Sequence, residues 1–267
     1  MKKFTLLLFP VLLILGCQKS NVDDVVSEIT KESLMNHISV LSSDEFEGRG
    51  TGASGEQKAV EYIVNQLKEI GATSGVPDGS FIQPFPLLGQ KTVNSSMKIT
   101  RSNKKSVIGD FKYFDDFVAW PANEGDKVDI NNAELVYVGY GIQAPEENWD
   151  DFKGVDVKGK IILIKNNDPE YDENLFGGKT RLYYGRYTYK YEKAKEMGAL
   201  GAIVIHTTPT AGYGWNVVSN SWSRERFYVK SAPGADKGAT EMNGWLTYGA
   251  SKKLFERAGI DLDKMLE

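Results

Sequence analysis

Lys160-Ile161-Ile162-Leu163-Ile164, a helical stretch around Tyr189 to Met197 ended by Gly198, and Ala202-Ile203-Val204-Ile205 together decide the fold of this chain. Two short, continuous apolar runs rich in β-branched residues read as buried strands. A helix between them leaves enough chain for a crossover, and parallel neighbours need one. The reading is therefore strand, helix, parallel strand. Upstream, Ala133-Glu134-Leu135-Val136-Tyr137-Val138-Gly139-Tyr140 reads as a further strand. Between residues 93 and 142 the chain shows short β-type runs broken by turn residues, such as Met97-Lys98-Ile99-Thr100 and the stretch from Phe111 to Trp120. This part reads as mainly antiparallel.

Toward the N-terminus the pattern changes to helix. Leu34, Ile38 and Leu41 stand at i, i+4, i+7 on one face, with His37 at its edge. A glycine-rich loop follows, Asp44-Glu45-Phe46-Glu47-Gly48-Arg49-Gly50-Thr51-Gly52, in which Arg49 is placed to pair with a carboxylate. Ser54 with Gln57 reads as a capping box. Val60, Ile63, Val64, Leu67 and Ile70 give the apolar stripe of the next helix, and Gly71 is the expected residue beyond its end. Near the C-terminus, residues 251–257 read as a helix ended by Gly259. Helices segregated from a β-rich middle define an α+β chain.

The first sixteen residues speak to compartment. Lys2 and Lys3 precede an apolar run over residues 4–15, and Gly16 stands before Cys17. A charged start, a short apolar run and a small residue form a secretory signal. The run falls short of the roughly 20 apolar residues a membrane-spanning helix needs. Ile14-Leu15-Gly16-Cys17 resembles a bacterial lipobox, which implies that Cys17 is acylated and becomes the first residue of the mature chain. As Cys17 is the one cysteine, no internal disulfide is available. Gln18, rather than an aspartate, points to the outer membrane. Residues 17–30 read as a polar tether. Cys17→Ser is expected to release the protein from the membrane fraction or stall its processing. A wild-type protein that is already soluble and carries no lipid mass would contradict this reading.

Composition narrows the function classes. The net charge is −4, and removing residues 1–16 takes away two lysines and no acids. No basic stretch suggests a nucleic-acid surface. Gly139-Tyr140-Gly141-Ile142-Gln143-Ala144 fits G-x-G-x-x-A after a strand, yet Pro145 and Trp149 follow instead of the helix N-terminus that a dinucleotide phosphate requires. Adjacent carboxylates at 115–116, 146–147 and 150–151 read as solvated surface. There is no G-x-S-x-G elbow.

A broader resemblance emerges from the order of these pieces. Leu41-Ser42-Ser43-Asp44, Glu47-Gly48-Arg49-Gly50-Thr51-Gly52, Gly55-Glu56 and the helix over 59–67 resemble the opening of the di-zinc aminopeptidase family, peptidase family twenty-eight, with its glutamate-carboxypeptidase and transferrin-receptor-like relatives. Val136-Tyr137-Val138-Gly139-Tyr140-Gly141-Ile142, Trp149-Asp150-Asp151-Phe152, Gly154-Val155-Asp156-Val157 and Lys158-Gly159-Lys160-Ile161 resemble the protease-associated (PA) domain inserted in such enzymes. So do Lys190-Tyr191-Glu192-Lys193-Ala194, Gly198-Ala199 and the strand ending at His206. Ala258-Gly259-Ile260-Asp261-Leu262 resembles the return from the insertion. The likeness covers roughly residues 31–265.

It implies five segments: a signal peptide over 1–16, a tether over 17–30, a helical segment of an α/β peptidase domain over 31–90, a β-rich PA domain with its strand-helix-strand crossover over 91–236, and a return segment over 237–267. It also implies two zinc ions in the complete enzyme and peptide substrates; the lipobox adds a lipid-anchored place in the cell envelope, and the composition and the failed G-x-G-x-x-A reading leave no nucleotide or nucleic-acid partner. The family's site begins with a His-x-Asp. The two histidines here are His37, followed by Ile38-Ser39, and His206, followed by Thr207-Thr208. Neither fits, and no His-Glu-x-x-His occurs. The expectation is thus a chain that ends before the metal ligands and holds no catalytic or metal residue of its own. The alternative is a non-enzymatic surface lipoprotein whose PA-type domain binds peptides or protein partners.

Overall fold

A computed structural model describes residues 26–101, 106–230 and 240–266, and Cys17 lies outside them. The chain divides into two compact units, residues 1–83 and 84–267. Both helices and sheets are present, and the fold is α+β. Among the described residues, no helix is long and apolar enough to cross a membrane.

The first unit holds helix α1 (Lys31–Leu41), a 3-10 turn over Asp44–Arg49, and helix α2 (Ser54–Glu69). Thr30 caps α1 by accepting from the Ser33 amide at 3.1 Å. The stripe of α1 is laid out as the spacing predicts, but Leu34 and Ile38 stay exposed. His37 is half-buried, its Nδ1 2.7 Å from the Tyr62 hydroxyl. The capping box at Ser54 does not form. The N-cap is Ala53, and Ser54 is already helical. Its hydroxyl donates instead to Glu47 at 2.6 Å, while Glu56 reaches back to the Gly52 amide at 2.5 Å. Glu47, not Arg49, pins the glycine-rich loop: it also takes an ion pair from Lys58 at 2.9 Å. No carboxylate pairs with Arg49 among the described residues.

In the second unit, β1 (Leu87–Gln90) leads to β2 (Met97–Thr100) and β3 (Val107–Phe111), which form an antiparallel pair. β4 (Phe117–Pro121) and β5 (Leu135–Tyr137) enter the main sheet, and β6 (Gln143–Ala144) and β7 (Trp149–Asp150) make a small hairpin around a 3-10 turn. β8 (Ile161–Lys165), α3 (Tyr187–Glu196) and β9 (Gly201–His206) form the expected crossover. α4 (Thr208–Ala211), α5 (Trp215–Trp222) and β10 (Arg226–Val229) follow, β10 pairing with β1. The chain returns through β11 (Met242–Thr247), α6 (Tyr248–Ala258) and α7 (Leu262–Leu266).

The main sheet has the order β4-β11-β9-β8-β5. Four of its strands are parallel and only β4 runs against them. The antiparallel reading of the middle thus holds for β2, β3 and β4 but fails for β5, which pairs in parallel with β8. Its strand is also shorter than the apolar run suggested. The left-handed φ of Gly139 (+57°) and Gly141 (+63°) turns the chain out of the sheet, and a Cβ on Gly141 would stand 3.2 Å from Ile164 Cγ2. β11, within the return segment, escaped the sequence reading altogether. Its Asn243 and Gly244 dilute the apolar signal, although it lies between β4 and β9.

Alternation along these strands builds two cores. Ile162, Ile164, Ala202, Val204 and Trp245 face one side, where they meet Tyr191 and Ala194 of α3 and Val218 of α5. Leu163, Ile203, Ile205 and Leu246 face the other, against Leu254 and Phe255 of α6 and Leu262 of α7. Each fully buried aliphatic side chain contributes about 1.5–3 kcal/mol of transfer free energy. α3 ends as its sequence predicts. Gly198 has φ +72°, its amide donates to the Lys195 carbonyl at 2.9 Å, and the Ala199 amide donates to that of Ala194 at 2.9 Å. Gly71 closes α2 by the same motif.

Candidate functional site at the carboxyl ends of the parallel strands

Parallel strands in an open sheet point their carboxyl ends the same way, and ligand crevices form there. Here Lys165 ends β8, His206 ends β9 and Thr247 ends β11. All three line a crevice of about 780 Å³. Aromatic side chains wall it, among them Tyr140, Tyr171, Trp215 and Tyr248. The N-terminus of α6 opens beside it: Thr247 Oγ1 accepts from the Ala250 amide at 3.2 Å, and the Ser251 hydroxyl donates to the Thr247 carbonyl at 2.9 Å.

A polar segment, Asn166-Asn167-Asp168, follows β8 and is buried throughout. Burial of that kind requires partners. Asn167 adopts a left-handed φ of +77°, accepts from Arg181 Nε at 2.7 Å and donates to Glu170 at 3.2 Å. Arg181 also donates to the Thr210 carbonyl, which ties the loop after β8 to the short helix α4 that follows β9. Asp168 Oδ2 accepts from the Leu182 amide at 3.0 Å, whereas Oδ1 has no partner. Burial pushes the Asp168 carboxyl up, against the pull of the Leu182 amide and of Lys190 and Arg181.

Lys165 is half-buried. Its Nζ lies 4.5 Å from the centre of the Tyr140 ring and donates to the Leu266 carbonyl. Burial lowers its pKa, with Glu170 and Asp151 opposing. Lys190, on α3, is fully buried and its Nζ has no hydrogen-bond partner. It lies 5.6 Å from the Tyr189 ring and 5.9 Å from that of Tyr140. Burial pulls it down to about 7, while Asp151 and Asp168 favour its charged form.

His206 is 3% exposed. Its ring sits among Tyr213, Trp215 and Trp245, with centroids 5.7, 5.6 and 6.1 Å away. Burial lowers its pKa, and the backbone carbonyls of Tyr213 and His206 itself act in the opposite sense. Its Nε2 has no partner.

Zinc needs at least three nitrogen, sulfur or oxygen donors at one place. Among the described residues, no three histidine, cysteine, aspartate or glutamate side chains come together in that way. His37 is engaged by Tyr62 in the first unit, and His206 is ringed by aromatics in the second. The described residues do not fit a zinc site. Sequence reading singled out His206 but missed Asn167, Asp168, Arg181 and Lys190. The available signal was a run of three polar residues directly after a buried apolar strand.

Comparison with known proteins places a class on part of this chain. Residues 131–239 match the family model of the PA domain. The chain thus contains a PA domain, and β5 through β10 with their connections fall within it. Among solved structures, an aminopeptidase from Aneurinibacillus sp. strain AM-1 is similar at 20% identity and a TM-score of 0.41, over 85% of this chain and 40% of that one. The chain therefore spans less than half the length of that protein. No curated protein matches.

Proposed function

We propose that this chain is the N-terminal and PA-domain portion of an exported zinc metallo-aminopeptidase of peptidase family twenty-eight, one that removes N-terminal residues from peptides when complete. The observation that carries the reading is the PA-domain match over 131–239, in a chain whose earlier residues show the loop and helix resembling that family's opening. In this reading the two zinc ions and the catalytic base belong to polypeptide outside these residues. The PA domain shapes access of peptides to them. Lipid on Cys17 holds the assembly to the cell envelope, at the outer membrane.

The test is hydrolysis of an aminoacyl 4-nitroanilide. The 267-residue chain alone is expected to release no nitroaniline. A version extended through the downstream reading frame should do so, lose activity to a chelator and regain it with zinc. An extended version that carries a His-x-Asp yet stays inactive with zinc would contradict the proposal. The second reading, a binding lipoprotein without enzymatic activity, is favoured by the crevice itself, which holds buried polar groups awaiting partners. A stop codon directly after Glu267 would support it.

A further inference from the structure

The crevice is unequal in what it leaves free. Its cations are committed: Lys165 to the Leu266 carbonyl and the face of Tyr140, and Arg181, at its border, to Asn167 and the Thr210 carbonyl. Lys190 does not line it. Two of its buried acceptors are not committed. Asp168, 1% exposed, has one oxygen bound to the Leu182 amide and the other without a partner. His206 has Nε2 without a partner, and in a neutral ring that carries its proton on Nδ1 this atom is an acceptor. A buried acceptor left unpaired costs about 1–3 kcal/mol. Glu170 adds negative charge to the lining, while the charge of Asp263 is paired with Lys252 at 2.8 Å. Tyr171 and Trp215 line it with rings that no cation of the chain covers among the described residues, whereas Lys165 already stands over Tyr140 and Lys252 over Tyr248. The volume, about 780 Å³, suits a side chain with flanking residues.

From this pattern we infer that the crevice binds a primary ammonium group, carried by a lysine side chain or by a peptide amino terminus, through Asp168 Oδ1 and His206 Nε2. In this inference the group's N–H donors partner the orphaned acceptors, and its charge joins those of Lys190 and Arg181 in balancing Asp168 in a site of low polarity. The inference needs only this chain and no hydrolysis, so it stands or falls separately from the peptidase proposal.

The test is a titration of the full chain followed by the imidazole NMR signals of its two histidines, with His37 as the internal control. Four peptides serve as probes. N-acetyl-Ala-Lys-Ala-amide carries only a side-chain ammonium, and Ala-norleucine-Ala-amide carries only an α-ammonium. N-acetyl-Ala-norleucine-Ala-amide carries no charge, and N-acetyl-Ala-Glu-Ala-amide is an anion. At least one of the two ammonium peptides should move the His206 signals and leave those of His37 in place, and which one does so identifies the source of the group. Asp168→Asn should weaken that binding at least tenfold. The inference is overturned if the neutral or anionic peptide shifts His206 as far as the ammonium peptides do. It is also overturned if no probe moves His206, or if a folded Asp168→Asn protein binds as tightly as the wild type. Should that variant fail to fold, the four wild-type titrations decide.

Discussion

Trp245→Ala is expected to destabilise the second unit by about 3–5 kcal/mol, the range for truncating a buried aromatic. Trp245 is 2% exposed at the middle of β11. Its backbone neighbours are Val118 on β4 and Val204 on β9, and both belong to the same core cluster. Its ring meets Tyr187 edge-on at 5.5 Å and forms one wall around His206. The sheet fixes the strands on either side, so the space it leaves closes only in part. Urea unfolding followed by fluorescence and circular dichroism measures the loss. A cost below about 1 kcal/mol would mean that β11 does not lie between β4 and β9.

The second large effect concerns Lys190, whose charge is buried without a hydrogen-bonding partner. In the folded chain burial lowers it to about 7, whereas an unfolded lysine titrates near 10.4. Between these values the unfolded chain holds a proton that the folded chain does not. Stability therefore falls as pH drops from about 10 toward 7 and levels off below. Met fills a similar volume with no charge to desolvate. Lys190→Met is thus expected to be more stable than the wild type at pH 7, by a few kcal/mol at most, with the gap closing steadily toward pH 10. The half-buried Tyr137 and the buried Tyr191, held above their usual range, destabilise the fold only as pH rises past about 10, and they act alike in both proteins. Unfolding curves at pH 7, 8.5 and 10 resolve the trend. A gap that is constant across that range would show that Lys190 keeps its ordinary ionisation in the folded state.

What was legible in the sequence follows from which signals are local. β8, α3, Gly198 and β9 announced themselves because continuous apolar runs and a glycine stop depend on adjacent residues alone. The end of α2 at Gly71 was legible for the same reason. Its start was not, since Ser54 and Lys58 both donate to Glu47 in the preceding loop, and the loop conformation settles that contact. β11 stayed hidden because a strand buried on both faces by tertiary packing tolerates Asn243 and Gly244. The site was the least legible part. His206 stands out as one of two histidines, but nothing local tells that Asp168 and His206 line one crevice. Lys190 sits within a polar helix sequence and is buried only because α3 packs against the sheet.

On the proposed function, these residues carry the PA domain of a peptidase whose zinc ligands lie outside them. Zinc content by mass spectrometry, measured after dialysis on the 267-residue chain and on the version extended through the downstream frame, tests it most directly. The expected result is well under one zinc ion per molecule for the shorter chain and two for the longer. One or two tightly held zinc ions on the 267-residue chain would contradict it.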